Sequence, residues 1–338
     1  VRTEKGVIVV LLGTVVACGA YHLTRINEDG VIIAGPTGDD YIYNDSFESE
    51  SEISEAGFIL FSDDYTLYSY STNLEYLSSK YDGATEPSVA LDNTKNLIYV
   101  PRYSDGFWFV DVCDLYLNTL DYFEIPKKPI SLTVDEAADV IWLTIYYYEG
   151  YNGLYKYDGS GTLLGFFPEQ YGLYNLRNTG YDGSFWSSYR TDIQRSLKLI
   201  NTNGDVSAEC QYLPGLIIES SVVEYDNSIW VIYYSGGART LCKVNRLGSI
   251  VFRNDGAPGF DCLGVNQNDG SVWLGNYQRN IKHLDSQGRV IFTNQWFEDY
   301  ILDISVDPAD NSAVVISGSR VYGSIQPSSF GEIKAMFR

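Results

Sequence analysis

Arginine recurs, in several places beside tyrosine, at a set of points in this chain: Arg102-Tyr103, Tyr189-Arg190, Arg239, Tyr277-Gln278-Arg279 and Arg320. A tyrosine-rich segment that contains Tyr147, Ile145-Tyr-Tyr-Tyr-Glu-Gly-Tyr, interrupts the series. A guanidinium is a planar fork of donors that matches carboxylate and sulfate, and a neighbouring phenol offers a flat face to a sugar or a partner side chain. The chain holds only 23 Lys and Arg against 44 Asp and Glu, so arginines gathered in corresponding loops point to a binding face. The candidate binding residues are Arg102, Arg190, Arg239, Arg279, Tyr147, Tyr189 and Tyr277, and the expected partner is a protein, a glycan or another anionic ligand. The alternative is that each arginine closes its own loop against an acid such as Asp105 or Asp192.

Other chemistry is sparse. The two histidines are His22 and His283, and His283 follows Lys282 in a strand, where a satisfied strand histidine is expected. There is no Gly-x-Ser-x-Gly, no His-Glu-x-x-His and no phosphate-binding glycine loop, so the residues give an enzyme no nucleophile or metal signature. Asp92, Asp135, Asp182, Asp226, Asp269 and Asp307 recur near turns; their oxygens could bind calcium, but copies so far apart are better read as turn formers. Cys18, Cys113, Cys210, Cys242 and Cys262 show no metal-ligand spacing. Without Cys18, four remain, which suits either two disulfides or buried thiols.

The elements that must position these residues are repeats. Trp142, Trp186, Trp230 and Trp273 stand 44, 44 and 43 residues apart, each in an apolar triplet, and the phase extends to Tyr99 and Val315. About a dozen residues after each tryptophan comes a strand with a tight turn, as in Leu154-Tyr-Lys-Tyr-Asp-Gly-Ser-Gly and Ile281-Lys-His-Leu-Asp-Ser-Gln-Gly. Asp or Asn and Gly supply the hairpin chemistry there. Apolar residues alternate with period two, so each unit reads as four short antiparallel strands. Units of ~40 to 45 residues with four strands predict an all-β fold, a β-propeller. Third-strand markers at Leu67, Phe107, Leu154, Leu197, Leu241, Ile281 and Val321 predict seven blades. The hairpin at Leu23 either founds an eighth blade or augments the ring.

Phrases such as Ile304-Ser-Val-Asp-Pro-Ala-Asp-Asn and Ser271-Val-Trp-Leu-Gly-Asn resemble the NHL and virginiamycin-B-lyase-like propeller repeats over residues 87 to 338. The resemblance speaks for the fold; propellers host binding proteins, lyases, lactonases and scaffolds alike. Lyases of that type use a histidine and a metal at the ring centre, a place to which a third-strand His283 does not point.

The N-terminus has its own character. Val1-Arg-Thr-Glu-Lys precedes an uncharged run from Gly6 to Ala17, and Val15-Val-Ala-Cys18 fits a lipoprotein cleavage box. Residues 1–18 are therefore expected to be a signal peptide or anchor lipidated at Cys18, with blade strands or a filament helix as alternatives. Residues 19–55 read as linker or partial blade, with an acidic loop or tether at 35–55, and residues 56–338 as the propeller. A net charge of −21 excludes general nucleic-acid affinity and docking on anionic lipid through basic residues, which leaves the N-terminus as the membrane contact. The expected protein is exported to the cell surface or secreted, non-enzymatic and without a cofactor, a binding module or a subunit of a surface assembly. The alternatives are a metal-dependent lactonase or lyase and a self-assembling filament or virion subunit.

Overall fold

The computed structural model describes residues 21–26, 32–34, 50–53, 58–62, 66–71, 76–81, 89–145, 152–170, 172–179, 182–190, 195–211, 213, 215–223, 226–255, 259–276, 278–294, 300–307 and 312–318. Residues 1–18 with Cys18, and Tyr147, Tyr277, Arg320 and Val321, lie outside them; Arg190 ends a strand whose course is described, but its side chain is not.

Seven sheets of four antiparallel strands make a seven-bladed β-propeller. Blades 1 to 6 occupy residues 50–81, 90–125, 129–167, 173–210, 216–254 and 260–294, each running from its innermost to its outermost strand in chain order. Blade 7 is composite. Tyr300–Val306 and Ala313–Gly318 form its inner half, and the N-terminal strands Tyr21–Ile26 and Ile32–Ala34 complete it. Thr24 pairs with Val315 and Arg25 with Val314, so the two ends of the chain share one sheet. The Leu23 hairpin thus augments the ring and takes the third-strand place that the spacing assigns to Val321. Joining first and last segments leaves no blade short of strands and the ring without a free end. From blade 2 to blade 7 the innermost strands pack on one another in order, and that of blade 7 meets that of blade 1.

Glu50–Ile53, expected within an acidic tether, is the innermost strand of blade 1 and pairs with Phe58–Ser62. Its Glu-Ser-Glu-Ile sequence carries little apolar signal, so pairing with its neighbour decides its conformation.

The tryptophan column is the mechanical centre of the fold. Trp142, Trp186, Trp230 and Trp273 lie on second strands and are at most 1% exposed. Each packs forward onto the next blade: Trp142 clusters with Leu173 and Phe185, Trp186 with Val222 and Val231, Trp230 with Leu263 and Val272, and Trp273 with Ile301 and Ile304. Two of the indoles also tie into the following turn, Trp186 Nε1 donating to Asn227 O at 2.9 Å and Trp230 Nε1 to Gly270 O at 3.1 Å. Tyr99 and Val315, at the same phase, are fully buried.

Hairpins between third and outer strands repeat one geometry. In blades 3 and 6 Asp158 Oδ1 accepts from the Ser160 and Thr162 amides, and Asp285 Oδ1 from those of Gln287 and Arg289. Asn201 and Asn245 do the same in blades 4 and 5. The fourth residue of each turn is left-handed, at φ 82, 85, 78 and 80 for Gly161, Gly204, Gly248 and Gly288, which an L side chain resists. Blade 2 puts Leu117 there, at φ 64, and buries its side chain in the core between blades 1 and 2.

These hairpins predict an acid-sensitive component of stability. Hydrogen bonds hold the Asp158 carboxyl below its ordinary range, chiefly that from Ser160, and the Asp285 carboxyl likewise, chiefly that from the Arg289 amide. A carboxyl whose folded pKa is depressed contributes stability above its unfolded value of about 3.9 and loses it as pH falls through the lower folded value. Asp158→Asn with Asp285→Asn keeps the accepting oxygen, as Asn201 and Asn245 show, and removes the titration. Denaturation midpoints measured from neutral to acid pH should therefore fall less steeply in this variant than in the parent.

Candidate functional site

The ends at which the second strands finish lie on one face of the ring, because each blade runs outward from its innermost strand in the same sense. Arg102, Arg239 and Arg279 lie at or next to these ends, as do Tyr189 and the backbone of Arg190. These described positions lie at one face of the ring. Their surroundings divide them.

Arg102 is committed within its own blade. Its Nε sits 2.9 Å from Asp111 Oδ1, and the guanidinium lies over Phe109 at 4.9 Å and Tyr122 at 5.7 Å. The loop-closing acid is thus Asp111 on the third strand rather than Asp105. Arg239 reaches forward instead, its Nη2 paired with Asp261 Oδ1 on the innermost strand of blade 6, where the carboxylate is only 5% exposed. A pair with its carboxylate buried orients the guanidinium and neutralises most of its charge.

Arg279 differs from both. Asn276 Oδ1 accepts from the Gln278 and Asn280 amides at 2.9 Å, and the Arg279 amide donates to Asn276 O at 3.1 Å. This is the turn of the outer hairpins repeated on the opposite face, with Arg279 at φ 67 in the position those hairpins give to glycine. Left-handed backbone costs a residue with a Cβ on the order of 1 kcal/mol. The side chain is exposed, lies 5.5 Å over the ring of Tyr300 at the start of blade 7, and makes no ion pair among the described residues. Lys282, on the next strand, lies 5.3 Å over Phe260 and also makes no ion pair among the described residues. Two cations on aromatic platforms therefore mark the blade 6 sector of this face. Further round, Tyr189 carries Lys198 Nζ at 3.5 Å; burial lowers the pKa of that ammonium and Glu209 opposes the shift.

The remaining candidates have structural roles. His283 is 4% exposed, stacks on Trp273 at 4.2 Å and 7°, and places Nε2 2.9 Å from Ser271 Oγ. The recurring aspartates cap turns on the opposite face: Asp182, Asp226 and Asp269 accept from the Ser184, Ser228 and Ser271 amides at 3.1, 2.9 and 2.8 Å. Among the described residues no three His, Cys, Asp or Glu side chains lie close enough to hold a metal ion together. Cys113, Cys210, Cys242 and Cys262 are buried free thiols; burial pushes Cys242 up to about 12.

No protein-family model and no curated protein sequence matches the chain. Solved structures do. A chain of Kuenenia stuttgartiensis hydrazine synthase superposes with a TM-score of 0.59 at 10% identity, over 86% of this chain and 99% of that one. The Dos1 propeller superposes with a TM-score of 0.57 at 9% identity, over 79% and 77%. At such identities the likeness is one of fold, and it confirms the propeller.

Proposed function

We propose that this protein is an exported, non-enzymatic propeller that binds a carboxylate- or sulfate-bearing ligand on the face carrying the second-to-third connections, with Arg279 and Lys282 as the principal contacts. The observation that carries this reading is Arg279: a strained backbone position holding an exposed guanidinium over Tyr300, with no acid paired to it among the described residues. In a chain of net charge −21 a cation without a carboxylate partner is available to an outside anion. Backbone strain kept at an exposed polar residue is a recurrent mark of binding sites. Arg102 and Arg239 support the face from within through their acids, so the site narrows from the full arginine set to its blade 6 and blade 7 sector. Arg190, Tyr147 and Tyr277 belong to the same series and remain part of the proposal.

The reading of residues 1–18 as an export signal with Cys18 as its acylated cysteine rests on the apolar run and the Val-Val-Ala-Cys box. The mass of the native N-terminal peptide distinguishes a cleaved, lipidated chain from an intact one.

Binding is tested by titrating a sulfated polysaccharide such as heparin and a polyuronate such as polygalacturonate against the purified protein at several salt concentrations. Arg279→Ala with Lys282→Ala should weaken the complex by ~2 kcal/mol or more, with the unfolding midpoint little changed. An unaltered isotherm in the double variant would remove these residues from the contact.

A further inference from the structure

Between blades 1 and 2 a buried thiol has an amine as its neighbour. Lys80, on the outermost strand Tyr76–Tyr81 of blade 1, brings Nζ to 3.3 Å from Sγ of Cys113 on the third strand Phe107–Asp114 of blade 2. The same ammonium lies 2.7 Å from Asp111 Oδ2 and donates to Thr119 Oγ1. Asp111 is held on its other oxygen by Arg102, at 2.9 Å. Cys113 is fully buried, and the Lys80 side chain beside it is 14% exposed, so the sulfur lies one side chain from solvent.

We propose that Lys80 and Cys113 form an oxidative modification site at which hydrogen peroxide joins the two side chains through an S–N bond, stapling blade 1 to blade 2. The chemistry uses a single equivalent of peroxide. The Cys113 thiolate attacks the O–O bond; sulfur gains hydroxyl, becoming a sulfenic acid, and the other oxygen leaves as water with the thiol proton. A sulfenic acid condenses with a nearby nitrogen. The Lys80 ammonium gives one proton to the departing hydroxyl, which leaves as a second water, and the freed nitrogen lone pair bonds to sulfur. The proton remaining in excess on nitrogen passes to Asp111. Sulfur is oxidised and peroxide oxygen reduced. Burial pushes the Cys113 thiol up, and the ammonium of Lys80 pulls it back toward the thiolate, so the reactive form is the one that the lysine stabilises. Asp111 then releases this proton to water, and Arg102, still on its other oxygen, pairs the regenerated carboxylate once the lysine charge has gone.

The full-length protein is treated with hydrogen peroxide, quenched, digested with trypsin and read by mass spectrometry. The expected product is a joined pair of peptides carrying Lys80 and Cys113, lighter than the sum of its parts by the hydrogens lost, uncleaved at Lys80 and separated again by dithiothreitol. Lys80→Arg keeps the positive charge and the pairing with Asp111 but has no amine to react, so the joined peptide should be lost while the variant melts as the untreated parent does. Treated parent protein should unfold at a higher temperature than untreated protein, and Cys113→Ala should show no such rise. Recovery of Cys113 as free thiol, sulfinic acid or sulfonic acid, with Lys80 cleaved normally, would overturn the proposal. So would the same joined mass in Lys80→Arg.

Discussion

Trp230→Ala should lower stability by ~3 to 5 kcal/mol, the largest single effect expected from an apolar truncation in this chain. The indole is fully buried and packs against Leu263, Val265 and Val272 of the next blade. It also donates to Gly270 O at 3.1 Å, so the truncation deletes a blade-to-blade hydrogen bond along with the packing. Because the ring cannot close over the gap without moving two blades, the cavity relaxes only in part. Val251→Ala is the control: this residue is 58% exposed on an outer strand, and its loss should stay within about 0.5 kcal/mol. Urea titrations that give the two variants the same midpoint would show that the tryptophan column does not join the blades.

Ile26→Asp should be as damaging through a different route. Ile26 is the last residue of the N-terminal strand that completes blade 7, is 1% exposed, and clusters with Trp273, Ile301, Ile304 and Val315. A carboxylate there is buried among apolar side chains, and an uncompensated buried charge costs about 3 to 5 kcal/mol. The penalty falls on the one blade built from both ends of the chain, so the expected result is an opened ring, cleaved by trypsin under conditions that leave the parent intact. Ile26→Val retains the apolar contact and should resist. A protease-resistant Ile26→Asp protein would mean that the N-terminal hairpin is dispensable for closure.

The two variants differ in how visible their positions are in the sequence. Trp230 declares itself because the same buried second-strand position recurs in blades 3 to 6, and a repeated environment selects a similar residue at a fixed interval. The hairpin that carries Ile26 shows in the sequence but its pairing does not, since its partner Ala313 lies at the far end of the chain and strand pairing over that distance leaves no local pattern. The same limit governs the binding face. Loop position follows from the repeat, so the face common to Arg102, Arg239 and Arg279 can be read from spacing alone. Which arginines are spent on internal acids cannot, because Asp111 lies on a strand and Asp261 on another blade. Arg279 left a trace that the tyrosine-arginine series obscures: Asn276-Tyr-Gln-Arg-Asn copies the Asn245-Arg-Leu-Gly-Ser turn with arginine in place of glycine. Lys282 and the Lys80 to Cys113 contact were not legible at all, since each depends on a partner brought in by sheet packing.

The substitution Arg279→Gly separates the side chain from the loop that carries it. Glycine accepts the left-handed backbone at this position without strain, as Gly248 and Gly288 do in the corresponding turns, so the loop keeps its course while the guanidinium is removed. Calorimetric titration with heparin and thermal unfolding of the same preparation give both readouts at once. Heparin binding should weaken by about tenfold or more, equivalent to ~1.4 kcal/mol, with an unfolding temperature equal to or above that of the parent. Heparin bound by Arg279→Gly with the parent's affinity, or by neither protein, would contradict a binding role for Arg279.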